Sequence, residues 1–431
     1  MRLAMAFLTL AISAQAQSQA QPLVPRSAPT CDITLVDANV WDGSQFVKQT
    51  ISAQNGQFTN PSAQTVSVNA SYLFFIPPFA DGHTHRFDPT LQTADAVHNK
   101  AIQQGVFYAL NPNNIRAQGP NLSAVNGAVE VQAAGGGITR PGGHPQPLYE
   151  NLARQPWFGL KIADLPGRAF HSVATPAEAR AAVRLVKENG ASVVKLYLLN
   201  HDQGDLNEGL TKENFIAAVS EAKSLKLRPI VHIESASDFR LAADSGVFAI
   251  MHLPYAAPSV RLPAANYMLT PEDAAQAARA GIIVVPTATV ALMMLDGQKL
   301  TDVQAIQRHN LTLMESAGVK LAVGADNYSL GLHEEITTLR SFGIFKPAEI
   351  INMATRNGTD LAFPERKLGA LRTGYEASFI GYYYSPVGAW AGLSDPVVGM
   401  RAGQIMFDQT GLFTKACKPS AEAPPLGTFR K

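Results

Sequence analysis

Short apolar runs alternate with polar, helix-forming segments through the central part of the chain. The runs are rich in Val, Ile, Leu or Phe and lack period-two alternation, which is typical of strands buried on both faces of a parallel sheet. The segments between them carry helix start signals. Thr175 precedes Pro176, and Glu178 completes a capping box; similar starts follow Thr211 and Thr270. Repeated strand–helix units predict an α/β fold, a (β/α)8 TIM barrel over residues 71–363.

Eight barrel strands are predicted from the apolar runs. They lie near residues 74–78, 106–110, 128–132, 193–198, 229–233, 248–252, 282–286 and 320–324.

The two ends of the chain have a different pattern. Residues 31–70 contain short β-prone runs separated by Asp-Gly and Asn-Gly turns, and residues 364–431 return to β-like alternation. We therefore expect a small β-sandwich module built from both chain ends beside the barrel.

The N-terminus has the three parts of a secretory signal peptide. Arg2 is followed by an apolar stretch, LAMAFLTLAI, and by the small-residue site Ala14-Gln15-Ala16. Residues 1–16 are predicted to be a signal peptide, with a buried strand or short anchor helix as the alternative. Residues 17–30 are predicted to be a disordered lead-in. The mature protein is expected to be periplasmic or secreted.

Two cysteines, Cys31 and Cys417, lie near opposite ends of the mature chain. Export favours disulfides, and a Cys31–Cys417 pair is plausible if both ends belong to one module. Two independent thiols are the alternative.

Composition narrows the set of partners. Of the 431 residues 16% are charged, below the usual quarter or so, and the formal net charge is +1. With no basic stripe, nucleic acid is not an expected partner. Beyond the N-terminus no apolar run is long enough to span a bilayer, so we expect no membrane contact after signal cleavage. A small-molecule substrate is expected, and homo-oligomerisation stays open.

Polar residues occur at the ends of the predicted strands, where α/β barrels carry their chemistry. On an extended segment, His83 and His85 face the same way and can hold one cation. Lys195 lies inside VVKLYL, where a buried ammonium is unfavourable unless it is paired or loses its charge. The remaining polar residues at strand ends are His232, His252 and Asp326.

Local alternatives exist for these residues. Lys195 could extend its amine to solvent, form a Schiff base, or be converted by CO2 to a carbamate that bridges two metals. The histidines nearby favour the metal bridge. Asp326 could cap a following helix, but a metal-ligand role that also accepts a proton from bound water is preferred.

Several stretches resemble the amidohydrolase superfamily in its binuclear form with a carboxylated lysine, closest to imidazolonepropionase-like and Xaa-Pro dipeptidase-like members. The resemblance spans nearly the whole mature chain. The stretches that carry it are PPFADGHTH, TPAEARAAVRLVKENGASVVKLYL, LTPEDAAQAARAGIIVVPTATV, ESAGVKLAVGADNYS, ATRNGTDLAF and ITRPGGHP.

The resemblance implies a site with two divalent metal ions, most often zinc. His83, His85 and Asp326 would hold the more buried ion, and His232 and His252 the other. Carboxylated Lys195 would bridge them. Asp326 and Lys195 are the implied catalytic residues, and His144 in the Gly-Gly-His loop and Tyr255 the implied substrate contacts.

The predicted function is therefore hydrolysis of an amide bond in a peptide, an N-acyl amino acid or a cyclic amide, by a metal-bridging hydroxide. A lactonase or esterase on the same site, a Schiff-base aldolase using Lys195, and a ligand-binding barrel without turnover are the alternatives. His252 is followed by Leu-Pro rather than the usual Gly, and the tail has EASFIGYYYS where relatives have an Ala-Asp-Leu type run. These departures concern the substrate pocket and the β module, and leave the implied ligands in place.

Overall fold

The computed structural model describes residues 31–87, 94–115, 128–156, 158–254, 262–293, 299–388 and 390–417. The predicted signal peptide and lead-in lie outside these residues. In the described part of the chain, no helix is both long and apolar enough to span a membrane.

The strands of the described residues are numbered in chain order. They are β1 (Ile33–Trp41), β2 (Phe46–Gln54), β3 (Gln57–Thr59), β4 (Val66–Asn69), β5 (Phe74–Ile76), β6 (Phe79–Asp81), β7 (Val106–Asn111), β8 (Glu130–Ala133), β9 (Gly137–Thr139), β10 (Phe170–Ser172), β11 (Val193–Leu198), β12 (Arg228–Ile233), β13 (Ala249–Met251), β14 (Ile283–Val285), β15 (Lys320–Leu321), β16 (Phe379–Tyr382), β17 (Val398–Arg401) and β18 (Gln404–Asp408).

The α-helices are numbered in the same way. They are α1 (Ala94–Gln103), α2 (Gln146–Leu152), α3 (Pro176–Glu188), α4 (Lys212–Ser224), α5 (Ala236–Asp244), α6 (Pro271–Arg279), α7 (Ala288–Met293), α8 (Leu300–Ser316), α9 (Leu332–Ser341), α10 (Pro347–Asn352), α11 (Gly358–Ala362) and α12 (Leu412–Ala416). A π-helical segment, Met353–Asn357, joins α10 to α11.

Both chain ends contribute to one connected sheet, called here the chain-end sheet. Its order is β18-β17-β16-β5-β1-β2-β3, with β4 pairing to β1. Most of its pairs are antiparallel, but β1 runs parallel to β4 and β5. Cys31 and Cys417 are joined by a disulfide bond across this region, with Cα atoms 5.2 Å apart. The bond and the shared sheet bring together residues 386 positions apart in sequence.

The central part of the chain forms two parallel sheets. One has the order β10-β9-β11-β12-β13-β14-β15 and the other β6-β7-β8. Backbone hydrogen bonds join their edges beyond the strand ends: Gly82 donates to the carbonyl of Val323 at 2.7 Å, and Asp326 donates to that of His83 at 2.6 Å. The ends of β6 and β15 therefore lie side by side, and a mixed α/β domain is established.

The helix starts agree with their capping signals. The Thr175 hydroxyl accepts the backbone N–H of Glu178 at 3.2 Å, and the Glu178 carboxylate accepts that of Ala174 at 2.7 Å. Thr211 and Thr270 cap α4 and α6 in the same manner. These capping bonds satisfy N–H groups that would otherwise lack a partner in the first helical turn.

The first predicted strand is wrong in placement. Residues 74–76 form β5 in the chain-end sheet, and only Phe79–Asp81 forms the first strand of the parallel region. Pro77 and Pro78 cause the break, because proline has no N–H to donate to a sheet. The apolar run is thus shared between two sheets.

Two short strands, β9 and β10, lie at one edge of the larger parallel sheet and were not predicted. Only Lys320 and Leu321 of the predicted run at 320–324 have strand geometry. Ala322 still donates to the carbonyl of Val284 at 3.0 Å, so the run continues beside β14.

Candidate metal centre

His83, His85 and Asp326 meet where the ends of β6 and β15 lie together. The Nε2 atom of His83 is 2.9 Å from Asp326 Oδ1, and that of His85 is 3.2 Å from the same oxygen. The three residues come from two segments separated by most of the parallel region. Their convergence is a product of the sheet order rather than of local sequence.

His232 and His252 form a second part of the site on the neighbouring strands β12 and β13. Their ring centroids are 4.3 Å apart, and His252 is 5.0 Å from His83. The Nδ1 atom of His252 is 3.7 Å from Asp326 Oδ2. His83, His252 and Asp326 each offer a ligand atom within 4.8 Å of the others. His252 therefore lies between the two groups of ligands that the sequence assigned to separate ions.

Lys195 lies on β11, beside the histidine groups, with a side chain only 2% exposed. Burial lowers its pKa to about 7, although the charge of Asp326 acts in the opposite direction. Tyr197, two residues further along the same strand, has its ring 5.4 Å from the Lys195 Nζ atom and 5.4 Å from the ring of His232. Tyr197 is paired in register with His232, which explains that contact.

His144 lies close to the His232 side of the site. Its ring is 4.9 Å from that of His232 and 5.2 Å from that of Tyr197. Its backbone N–H donates to the Glu208 carbonyl at 2.9 Å, which anchors the loop that carries it. Tyr255, the other predicted substrate contact, lies outside the described residues.

The electrostatic state of the site is set by burial. Burial lowers the pKa of His83 to about 4 and that of His144 to about 4, and holds those of His232 and His252 well below the ordinary value. For Asp326, burial alone would raise the pKa, but the charge and hydrogen bond of His83, with help from His85, hold it well below its usual range. His83, His144, His232 and His252 are thus neutral imidazoles close to an ionised carboxylate.

This donor set fits a metal ion. The Nε2 atoms of His83 and His85 lie 2.9 and 3.2 Å from the same Asp326 oxygen, so two nitrogens and one carboxylate oxygen face one small space. A cation among these atoms would use the free lone pairs and the negative charge together. Nitrogen and carboxylate oxygen are the ligands that zinc accepts, and the described site residues include no thiolate.

A second layer of residues holds the ligands in place. Asp81 accepts the backbone N–H of His83 at 3.2 Å and that of Ala325 at 3.1 Å, and so ties the two ligand segments together. The backbone at position 324 lies so close to His83 that only glycine fits, since an added Cβ would lie 2.7 Å from the Cβ of His83. Gly82 acts in the same way: an added Cβ would be 3.0 Å from the Val323 carbonyl oxygen.

Sequence reasoning missed four residues that touch or support the site. Tyr197 could have been found, because it lies two residues from Lys195 on a strand and so faces the same side. Asp81 could also have been found, since it precedes His83 by two residues. Thr287, which contacts His252 at 2.7 Å, and Glu335, which supports the backbone beside Thr287, have no comparable signal.

Comparison with other proteins gives a likeness in structure but not in sequence. No protein-family model matches the chain, and no curated protein matches it. Among solved structures, an amidohydrolase is similar at 18% identity and a TM-score of 0.69, covering 88% of this chain and 100% of the other. A Xaa-Pro dipeptidase with bound methionine has 18% identity, a TM-score of 0.66 and coverage of 87% and 99%.

An ochratoxinase from A. niger gives the same result, with 18% identity, a TM-score of 0.67 and coverage of 89% and 97%. These neighbours are amidohydrolase-family proteins, the superfamily that the sequence resembles. At this level of identity the comparison shows that this chain shares their fold.

Proposed function

We propose that this protein is an exported amidohydrolase with a binuclear metal site that cleaves an amide bond. The observation that carries the proposal is the convergence of His83 and His85 on the Asp326 carboxylate, with the rings of His252 and His232 next to them. These side chains offer imidazole nitrogens and an ionised carboxylate within one small, largely buried space, which is a donor set that a divalent cation can use.

The chain's own residues would divide the work at this site. His83, His85 and Asp326 would hold one ion, and His232 with His252 the other. When bound, the ions would supply Lewis acidity, which polarises the scissile carbonyl and lowers the pKa of a bound water molecule. Lys195 would bridge the ions as a carbamate, formed when the neutral amine adds to CO2 and releases a proton. Its lowered pKa favours the neutral amine at physiological pH.

Asp326 would move the proton. Its Oδ1 atom faces His83 and His85 and its Oδ2 atom faces His252, so its carboxylate is central among the ligands. As the nucleophile attacks, Asp326 would accept its proton and then donate it to the leaving nitrogen, whose bond to the carbonyl carbon breaks. One carboxylate would thus serve both as ligand and as general acid–base.

His144 and Tyr197 would contact the substrate on the His232 side. The pKa of Tyr197 is raised well above its ordinary value, first by burial, so its hydroxyl remains a hydrogen-bond donor. Both residues could donate to the carbonyl oxygen as negative charge develops there. Tyr255 stays a proposed contact from the sequence alone.

The wider organisation is part of the proposal. We infer that the two parallel sheets close into one TIM barrel, supported by the backbone bonds between residues 82 and 323 and between 326 and 83. The chain-end sheet would be the separate β-sandwich module. Export is supported by the N-terminal sequence and by the Cys31–Cys417 bond, since disulfides persist in oxidising compartments.

The test combines metal analysis with a substrate screen on the mature protein. We expect about two divalent ions per chain, with amide hydrolysis among dipeptides, N-acyl amino acids and cyclic amides. Lys195→Ala should lose most activity and bind metal poorly, with partial rescue by short carboxylic acids that replace the carbamate. Lys187→Ala, on the exposed last turn of α3, is the matched control.

Each alternative has its own outcome in this test. Turnover of lactones but not amides would assign a lactonase to the same site. Metal binding without turnover of any substrate class would favour a ligand-binding protein. If borohydride reduction traps a substrate covalently on Lys195, an aldolase would be favoured. Absence of bound metal, with no activity restored by added metal, would overturn the central proposal.

A further inference from the structure

Thr287 makes a direct contact with a proposed metal ligand. Its Oγ1 atom is 2.7 Å from Nδ1 of His252, and both side chains are buried. The two residues follow neighbouring parallel strands: β13 ends just before His252, and β14 ends two residues before Thr287. Backbone bonds hold these ends together, with His252 donating to the Val285 carbonyl at 2.8 Å.

The backbone at both positions is unusual. His252 has φ 79° and Thr287 has φ 48°, in the left-handed region that non-glycine residues seldom adopt. For a β-branched residue such as threonine this conformation is especially unfavourable. Residues are held in such conformations when the surrounding structure over-determines them, and these positions cluster at functional sites.

Glu335 supplies the support on the other side of Thr287. This carboxylate is fully buried on α9 and accepts the backbone N–H groups of Ala288 at 2.7 Å and Thr289 at 2.8 Å. It also accepts the Thr289 hydroxyl at 2.6 Å. The first residues of α7 are thereby fixed, and Thr287, directly before them, is fixed in turn.

We propose that Thr287 is a positioning residue, which holds the His252 imidazole through Nδ1 and so leaves Nε2 as the nitrogen available to a metal ion. The alternative partner of Nδ1 is Asp326, whose Oδ2 atom is 3.7 Å away. Without the threonine hydroxyl, the ring would be free to turn and pair with that carboxylate. The His252 ring would then move away from His232. The Asp326 carboxylate would accept a hydrogen bond from His252 and would be less available to a metal ion.

The inference rests on the proposed metal site, and the test separates the two. Thr287→Val removes the hydroxyl and keeps β-branching, whereas Thr287→Ser keeps the hydroxyl. Thr359→Val is the matched control, because Thr359 is a buried helical threonine that bonds only locally, to the Arg356 carbonyl. Thermal unfolding of all three variants shows whether each is folded.

The first measurement is zinc affinity by competition with a chelator. We expect Thr287→Val to lose about 10–100-fold in affinity for one of two ions, the range seen when a residue behind a ligand is removed. Thr287→Ser and Thr359→Val should stay near the wild type. A Thr287→Val protein that binds both ions with wild-type affinity would overturn the inference.

The second measurement needs no metal. The ring nitrogen shifts of His252, with labelled histidine in metal-free protein, report which nitrogen carries the proton. We expect one tautomer, protonated at Nδ1, in the wild type and in Thr287→Ser, and a mixture or the other tautomer in Thr287→Val. An unchanged tautomer in Thr287→Val would refute the inference. If the wild type bound no metal, the proposed function would fail while this measurement still decided the role of Thr287.

Discussion

The two sides of the candidate metal centre differ in charge. On one side, His83 and His85 surround the Asp326 carboxylate at 2.9 and 3.2 Å. On the other, His232, His252 and His144 are grouped with rings 4.3 and 4.9 Å apart around His232. The first side includes the Asp326 carboxylate, whereas the second side, which His252 connects to the first, contributes only imidazole side chains.

The difference indicates what each side needs in order to bind a divalent cation. A site with a built-in carboxylate offsets part of the cation's charge as soon as the chain folds. A site of neutral imidazoles gains that charge only if another group becomes anionic nearby. Lys195 is the buried amine beside it, and carboxylation would convert this neutral amine into an anionic ligand.

The largest expected effect comes from removing the carboxylate. Asp326→Asn should lower turnover by about 10²–10⁴-fold, because a neutral amide cannot accept the proton. It should also weaken metal binding on the His83 side more than on the His232 side. Steady-state kinetics and metal stoichiometry measure both, with Asn327→Asp as a control beside the site. A nearly normal rate in Asp326→Asn would refute the proton-transfer role.

The next test uses pH to separate the two sides during reloading of metal-free protein with zinc and bicarbonate. Since burial lowers the pKa of Lys195 to about 7, its neutral fraction should fall about tenfold between pH 8 and pH 6. An ordinary lysine would fall about a hundredfold over the same range. The pKa of His83, lowered by burial to about 4, predicts that protons compete little with a metal ion for this one imidazole in that range.

Loading on the His232 side should therefore decrease more as the pH falls than loading on the His83 side, where the Asp326 carboxylate is already ionised. The rate of uptake in stopped-flow measurements with a zinc indicator gives both phases. If both phases had the same pH dependence, or if bicarbonate had no effect on the slower one, the charge difference between the two sides would not govern loading.

The smallest expected effect on the site comes from breaking the disulfide. Replacing Cys31 and Cys417 by serine should leave metal content and turnover unchanged, because the bond lies in the chain-end sheet. Stability should fall, since a loop of this size is stabilised by upwards of about 4 kcal/mol in chain-entropy estimates. Thermal unfolding and activity assays measure the two outcomes. Two alkylatable thiols in the unreduced mature protein would contradict the bond itself.

The sequence indicated the type of fold because buried strands and helix starts have recognisable local residue patterns. Apolar runs such as the one around Lys195 had to be buried strands, and the Thr-Pro-x-Glu start of α3 had to be a helix N-terminus. The same reasoning failed near Pro77 and Pro78. An apolar run does not indicate which sheet its residues will join. Here two prolines interrupt the run, and its two parts belong to different sheets.

Candidate ligands could also be named from the sequence, because six polar residues occur at or near the ends of apolar runs: His83, His85, Lys195, His232, His252 and Asp326. A polar residue in an apolar run is chemically unfavourable, and that alone draws attention to it. Tyr197 and Asp81 could be found in the same way, because each lies two residues from a candidate ligand, Lys195 or His83, on an extended segment.

Only the tertiary structure decided how these residues meet. The order of the parallel strands brings Asp326 against His83, and it places His252 between the two sides rather than with His232 alone. The contact of Thr287 with His252, and the support of its backbone by Glu335 from another helix, have no signature in the sequence. Such contacts depend on strand order and on left-handed backbone positions, which are properties of the packed chain rather than of any local stretch of residues.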